Sequence, residues 1–99
     1  MLLPENEILN KLESIKSWVY FSKHISKEYK FADFKEALAF VNKVGNTAEA
    51  MDHHPDILMH SWNKVKISIS THSEGGITNK DFQLAEKIEL LSRNFVNLD

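Results

Sequence analysis

Apolar residues recur every three or four positions in three segments, the spacing typical of helices that bury one face. These segments cover residues 8–15, 34–48 and 82–95. Each follows a residue suited to a helix start, namely Pro4, Asp33 and Thr78. The pattern predicts three helices.

Apolar and polar residues alternate in two other segments, the period of a β-strand with one buried face. Residues 18–31 fit two short antiparallel strands joined by a weak turn at 22–24. The alternation returns from Trp62, with isoleucines and a valine on one side and lysines and serines on the other. Residues 57–60 allow a further short strand.

These elements predict an α+β fold in the order αββαββα, or αββαβα without the strand at 57–60. The simplest arrangement is a four-stranded antiparallel sheet with three helices packed on one face. A chain of 99 residues has room for one core, so we expect a single domain over residues 1–99. The second helix is expected to end near His53, because Pro55 disfavours helical dihedral angles in the residue before it.

Composition removes several classes of function. The chain has 12 basic and 14 acidic residues and a net charge of -2, so direct nucleic-acid binding is not expected. It has no apolar run of the roughly 20 residues that a membrane span needs, and no cysteine for disulfides or thiolate chemistry. The start of the chain does not read as a signal peptide, so a cytoplasmic location is the default expectation.

Four of the five histidines lie between Glu49 and Asp81. Histidines beside carboxylates favour proton transfer or metal binding, because imidazole changes its charge near neutral pH. Glu49 and His53 are four residues apart, so a helix that continues to His53 would let the carboxylate orient the ring. His54 would face another direction, and His72 would lie where the last strand ends.

Simpler interpretations apply to the other candidates. His24 fits a solvated strand face and His60 a loop flank, while Trp18 and Trp62 fit core or interface positions. A zinc site is the competing interpretation of the histidines, since three histidines and a carboxylate are sufficient ligands. The spacing argues weakly against it, because the pair one helical turn apart is Glu-His instead of His-His.

The order of the candidate residues resembles that of the pterin-4a-carbinolamine dehydratases. The matching positions are Glu49, His53-His54-Pro55-Asp56, Trp62, Ser70-Thr71-His72 and Asp81, with Trp18 and residues 31–37 upstream. The resemblance implies dehydration of a 4a-hydroxytetrahydropterin to quinonoid dihydropterin, without a metal or organic cofactor. It also implies a homodimer or homotetramer.

The resemblance further implies roles for individual residues. His53, His54 and His72 would form the catalytic set. The residues expected to bind or position the substrate are Glu49 (orienting His53), Ser70 and Thr71 (backbone hydrogen bonds to the pterin), Asp81 (supporting His72 or its loop) and Trp18 (lining the pocket). One departure is that six residues, not five, separate Pro55 from Trp62, which would reverse strand parity unless a bulge or loop absorbs the extra residue.

Two alternatives to the dehydratase remain at this point. One is a non-catalytic binding or dimerisation module on the same fold, which resembles the coactivator role of some members of that family. The other is a metal-dependent hydrolase. The dehydratase is favoured because the complete set of three histidines has no purpose in a protein that only binds a partner.

Overall fold

The computed structural model describes residues 1–95. Three α-helices, four β-strands and one 3-10 turn follow one another as α1 (Glu5–Leu12), β1 (Val19–Phe21), β2 (His24–Lys30), α2 (Phe34–Met51), β3 (Asp56–His60), β4 (Lys64–Ile69), the 3-10 turn (His72–Glu74) and α3 (Asn79–Ser92). The predicted α+β class and the αββαββα order are confirmed, with β3 as the fourth strand.

The four strands form one antiparallel sheet in the order β1-β2-β4-β3. Neighbouring strands place apolar residues opposite one another, as in Ile25 with Ile69 and Tyr29 with Val65. All four of these side chains are fully buried. The opposite face carries lysines, serines and exposed apolar side chains, so the core lies on one side of the sheet only.

An aromatic cluster forms the centre of the core. The ring centroids of Phe31 and Phe40 are 4.8 Å apart, and those of Tyr29 and Phe40 are 4.9 Å apart. Phe95, beyond the end of α3, packs edge-on against Phe31 and Phe40. This packing joins α2 and the segment after α3 to the C-terminal end of β2.

The turn between β1 and β2 reverses the strand parity that simple alternation predicts. Ser22 and Lys23 both adopt left-handed dihedrals, with φ of 53° and 65°, as a two-residue type I′ turn requires. This turn pairs Phe21 with His24, so Phe21 lies on the face opposite to Ile25. The alternation predicted one apolar face for both residues. Phe21 is instead 78% exposed.

The hairpin loop at 61–63 absorbs the extra residue before Trp62. The β3–β4 ladder runs in regular register from Asp56 opposite Ser68 to His60 opposite Lys64. Trp62 has a φ of 55°, and the loop is fixed by Asn63, whose side-chain amide donates to the carbonyl of Phe31 at 3.0 Å. Side chains along β3 therefore alternate regularly between the two faces of the sheet, and the strand contains no bulge.

The second helix ends at Met51, close to the predicted end near His53. Asp52 adopts a left-handed conformation with φ of 52°, and the backbone N–H of His53 donates to the carbonyl of Ala48 at 3.1 Å. This is a helix-ending arrangement usually made by glycine. His53 therefore lies just beyond α2, and the condition for pairing it with Glu49 one helical turn away is not met.

Both predicted helix starts with side-chain caps are present. The carboxylate of Asp33 accepts the backbone N–H of Glu36 at 2.8 Å, and Thr78 with Asp81 forms a capping box at the start of α3. Within residues 1–95, no helix is long and apolar enough to cross a bilayer.

Candidate active site

Asp81 is a fully buried carboxylate at the start of α3. Its Oδ2 accepts the backbone N–H of Thr78 at 2.7 Å and the hydroxyl of Thr71 at 2.9 Å. Its Oδ1 lies 2.6 Å from Nε2 of His53. Buried acceptors need such partners, and three hydrogen bonds at a helix N-terminus suit the ionised carboxylate.

His53 leaves α2 through the left-handed turn at Asp52, which lets its ring reach the start of α3. It is 8% exposed, and its Nε2 faces a carboxylate, so Nε2 carries the proton. Nδ1 of His53 makes no hydrogen bond to any group within residues 1–95. In the same part of the chain, every side-chain nitrogen or oxygen that is fully shielded from solvent has a hydrogen-bond partner. Nδ1 therefore retains contact with solvent and, in the neutral ring, presents its lone pair there.

Glu49 contacts His54 instead of His53, contrary to the predicted pairing. Its Oε1 lies 2.8 Å from Nε2 of His54, and the two side chains are 80% and 58% exposed. The physical reason is the early end of α2, which removes His53 from the helical position above Glu49. An exposed pair of this kind is screened by water and contributes little to stability.

Thr71 approaches the site through its hydroxyl, while its backbone is already hydrogen-bonded. Its N–H donates to the carbonyl of Gly76 at 2.8 Å, and its own carbonyl accepts from the amides of residues 74–76. The prediction that Thr71 offers backbone hydrogen bonds to a pterin therefore does not fit this structure. Ser70 is buried at the end of β4, where it stays a candidate for that role.

His72 follows Thr71 and begins the exposed 3-10 turn. Its ring lies edge-on to that of His24, with centroids 6.5 Å apart. His24 was interpreted as solvated surface, but it is half-buried beside a predicted site residue. Asp81 contacts His53 and Thr71, and so joins the segment after α2 to the segment that carries His72.

Trp18 lies elsewhere, in the core at the other end of α3. Its indole N–H donates to Oε2 of Glu89 at 3.1 Å, and only 4% of the residue is exposed. Glu89 is eight residues beyond Asp81, about 12 Å along a helix axis at 1.5 Å per residue. Trp18 therefore does not line the histidine site.

Oε2 of Glu89 is the acceptor for two further donors, Lys27 at 2.8 Å and the hydroxyl of Tyr29. Burial opposes ionisation of Glu89, but the hydrogen bonds from Lys27, Tyr29 and Trp18 outweigh it and lower the pKa of this carboxyl. Burial and the neighbouring Glu89 raise the pKa of Tyr29 well above its ordinary value. Sequence spacing gave no signal for this cluster, since its members come from three distant segments.

Cavities are found near both clusters. One, about 330 Å³, lies beside Glu89, and another of about 250 Å³ is lined by Thr71 and Thr78. A third, about 230 Å³, lies on the open sheet face and includes His24 and Asp56 in its lining. We place the candidate site beside the two smaller cavities, because Thr71 in the lining of one contacts Asp81 and His24 in the lining of the other contacts His72. Within residues 1–95, no group of three or more His, Asp or Glu side chains is placed to hold a metal ion.

Comparison with known proteins gives one consistent family. Residues 1–91 match the family model described as pterin 4 alpha carbinolamine dehydratase. A Sulfolobus acidocaldarius protein provisionally named pterin-4-alpha-carbinolamine dehydratase is 48% identical over 88 residues, which are 89% of this chain and 96% of the relative. A Prochlorococcus marinus protein with the same provisional name is 44% identical over 90 residues, 91% of this chain and 94% of that protein.

Solved structures agree with this similarity. A crystal structure described as a transcriptional coactivator/pterin dehydratase from Brucella melitensis superposes with a TM-score of 0.85 at 32% identity. The match covers 92% of this chain and 98% of that one. A pterin dehydratase-like RuBisCO assembly factor of the alpha-carboxysome, 16% identical with a TM-score of 0.62 over 76% of this chain and 86% of its own, shares the fold.

Proposed function

Since the chain belongs to the pterin-4a-carbinolamine dehydratase family, we propose that it catalyses dehydration of 4a-hydroxytetrahydropterin to quinonoid dihydropterin. In this hydro-lyase reaction the bond from C4a to the hydroxyl oxygen breaks, N5 loses its proton, and a double bond forms between N5 and C4a. The oxygen leaves as water once it has gained a proton. The product would re-enter tetrahydropterin recycling.

The observation that carries the proposal is the buried pair of His53 and Asp81. The carboxylate holds the ring proton on Nε2 and stabilises the imidazolium that forms when Nδ1 accepts a proton. A group arranged in this way suits the removal of the N5 proton. General bases of this type typically contribute 100-fold to 10,000-fold in rate.

His72 is proposed as the acid that protonates the leaving hydroxyl. It sits on a surface turn, where it can exchange protons with solvent between turnovers. At the end of each cycle His53 has gained one proton and His72 has lost one, and exchange with water restores both. The family pattern also proposes His54 for the catalytic set, and its exposed pair with Glu49 suits a contact at the rim of the site.

The decay of enzymatically generated 4a-hydroxytetrahydropterin, followed by ultraviolet absorbance in buffer with a chelator, tests this proposal. We expect wild type to accelerate the decay and His53→Ala to lower kcat at least about 100-fold. His53→Gln is a second variant, because its side-chain amide can still donate to Asp81 but cannot accept a proton. His60→Ala is the matched control, since neither His60 nor its partner Glu28 lines the two cavities.

If the wild-type protein does not accelerate the decay above its spontaneous rate, the proposed dehydratase activity is refuted. Full activity in both folded His53 variants would refute the assigned role of His53.

A binding role is the second candidate, supported by exposed apolar residues and by the description of the Brucella melitensis relative as a coactivator. Phe34 and Leu38 are 51% and 42% exposed on one side of α2. A protein that acts only by binding would keep its partner when His53 and His72 are both replaced by alanine. The cytoplasmic location, the homo-oligomeric state and the single domain over residues 1–99 stay predictions.

A further inference from the structure

Two threonine hydroxyls form a buried hydrogen-bond chain that ends on Asp81. Oγ1 of Thr78 lies 2.8 Å from Oγ1 of Thr71, which lies 2.9 Å from Oδ2 of Asp81. Thr71 is 9% exposed and Thr78 is 5% exposed. Both residues also line the cavity of about 250 Å³, so they separate it from the buried carboxylate.

The direction of donation along this chain follows from counting protons. An ionised carboxylate can only accept, so the hydroxyl of Thr71 must donate its one proton to Asp81. The contact between the two hydroxyls then needs the proton of Thr78, so Thr78 donates to Thr71. The backbone N–H of Lys80 donates to Thr78 at 3.3 Å and so occupies part of its remaining acceptor capacity.

We propose that Thr71 and Thr78 are positioning residues for the dehydration, because their one-way donor chain holds Asp81 as the acceptor of the proton on His53 Nε2. Nδ1 of His53 is thereby kept as the atom that meets the substrate proton. This inference rests on the proposed function. It adds a role for two hydroxyls that are not themselves hydrogen-bonded to the ring of His53.

The hydrogen-bond chain also sets how strongly Asp81 holds a protonated His53. A donor on Oδ2 draws negative charge away from Oδ1, and linked hydrogen bonds strengthen one another in a buried site. Loss of the Thr71 hydroxyl would leave only the Thr78 amide on Oδ2. Asp81 would then hold the imidazolium more tightly, and His53 would release its proton less readily.

Other charged groups lie next to this network in sequence or in space. They are Asp52 and His54 on either side of His53, Glu49 beside His54, His72 after Thr71, and Lys80 before Asp81. None of them changes in the variants below, so a difference between variants reports the hydroxyl chain.

The kinetic test compares Thr71→Val with Thr71→Ser across the pH range. We expect the acidic limb of kcat/KM to move up by about half a pH unit or more in Thr71→Val, as loss of one hydrogen bond to a charged group would produce. That shift lowers kcat/KM about threefold on the limb and leaves the high-pH plateau unchanged. Thr71→Ser keeps the hydroxyl and is expected to retain the wild-type profile. Thr78→Val should move the acidic limb in the same direction by a smaller amount. Thr78→Ser, which keeps the hydroxyl, should show the wild-type limb.

Nitrogen-15 spectra of the histidine rings test the same chain without substrate. We expect the proton on Nε2 of His53 in wild type, and a higher titration midpoint for this ring in Thr71→Val. Thr71→Ala is the second variant if Thr71→Val does not fold. A proton on Nδ1 in wild type, unchanged spectra in the folded variant, or equal effects of valine and serine would each overturn the inference. An inactive wild type with the expected spectra would refute the proposed function and leave the hydrogen-bond chain standing.

Discussion

Replacement of Glu89 by glutamine should destabilise the fold in a pH-dependent way. Three donors, Trp18, Lys27 and Tyr29, converge on one carboxylate oxygen. The side chains of Lys27 and Glu89 are 10% and 20% exposed, so their charges are mostly removed from water. Glu89→Gln keeps the shape of the side chain but removes its charge.

The magnitude follows from the difference between charged and neutral hydrogen bonds. A bond to a charged group contributes about 1.5–3 kcal/mol and a neutral one about 1 kcal/mol, so three bonds together lose roughly 1.5–6 kcal/mol. Partial exposure favours the lower end, about 2 kcal/mol at pH 7. For a domain of this size a loss of 2 kcal/mol lowers Tm by roughly 10 °C.

The pH dependence has a definite sign. The hydrogen bonds lower the pKa of Glu89 in the folded protein below its ordinary value of 4.5. A lowered carboxyl pKa stabilises the fold above the unfolded-state pKa, and this stabilisation disappears as the pH falls through the folded-state pKa. The difference between wild type and Glu89→Gln should therefore be full at pH 7 and shrink once the pH falls below 4.5.

Urea unfolding at fixed protein concentration, followed by tryptophan fluorescence at pH 7 and at several values below 4.5, measures both quantities. Glu86→Gln is the matched control, because Glu86 is exposed on the same helix. It should change the free energy of unfolding by less than about 0.5 kcal/mol. A Glu89→Gln cost below that limit at pH 7, or one independent of pH, would refute the reasoning.

Two further variants test other conclusions. Lys23→Gly should raise the free energy of unfolding by about 0.5–1 kcal/mol, because glycine adopts the φ of 65° without strain. A urea midpoint lower than that of wild type would contradict this expectation. Trp18→Phe should destabilise by about 1.5 kcal/mol through loss of the bond to the charged Glu89, yet leave KM for the carbinolamine unchanged. A large rise in KM would instead return Trp18 to the substrate pocket.

The elements of this fold could be predicted because local burial sets their period. The apolar stripe of α2, the alternation in β4 and the capping box at Thr78 and Asp81 each leave a mark within a few residues of sequence. The left-handed residues Ser22, Lys23 and Asp52 left no such mark, since none of them is glycine. The parity of β1 and the left-handed conformation of Asp52 therefore could not be predicted, although Pro55 did indicate where α2 ends.

The partners of the histidines were missed for the same reason. Spacing along a helix predicted that Glu49 contacts His53. The left-handed turn at Asp52 instead places His53 against Asp81, which is 28 residues away in sequence. A contact of that range depends on how α3 packs, which periodicity does not report. Sequence order proposed the members of the candidate set, while the contacts between them needed the fold.

Asp81 is at once the third residue of α3, where it completes the capping box with Thr78, and the partner of His53. The free energy needed to open the end of a helix is smaller than the free energy needed to unfold the whole domain. Warming should therefore open this first turn of α3 before the core unfolds. The ring of His53 would lose its orientation at that moment. Heat inactivation of this protein should accordingly precede its global melting, and the gap between the two temperatures would measure the stability of a single helical turn.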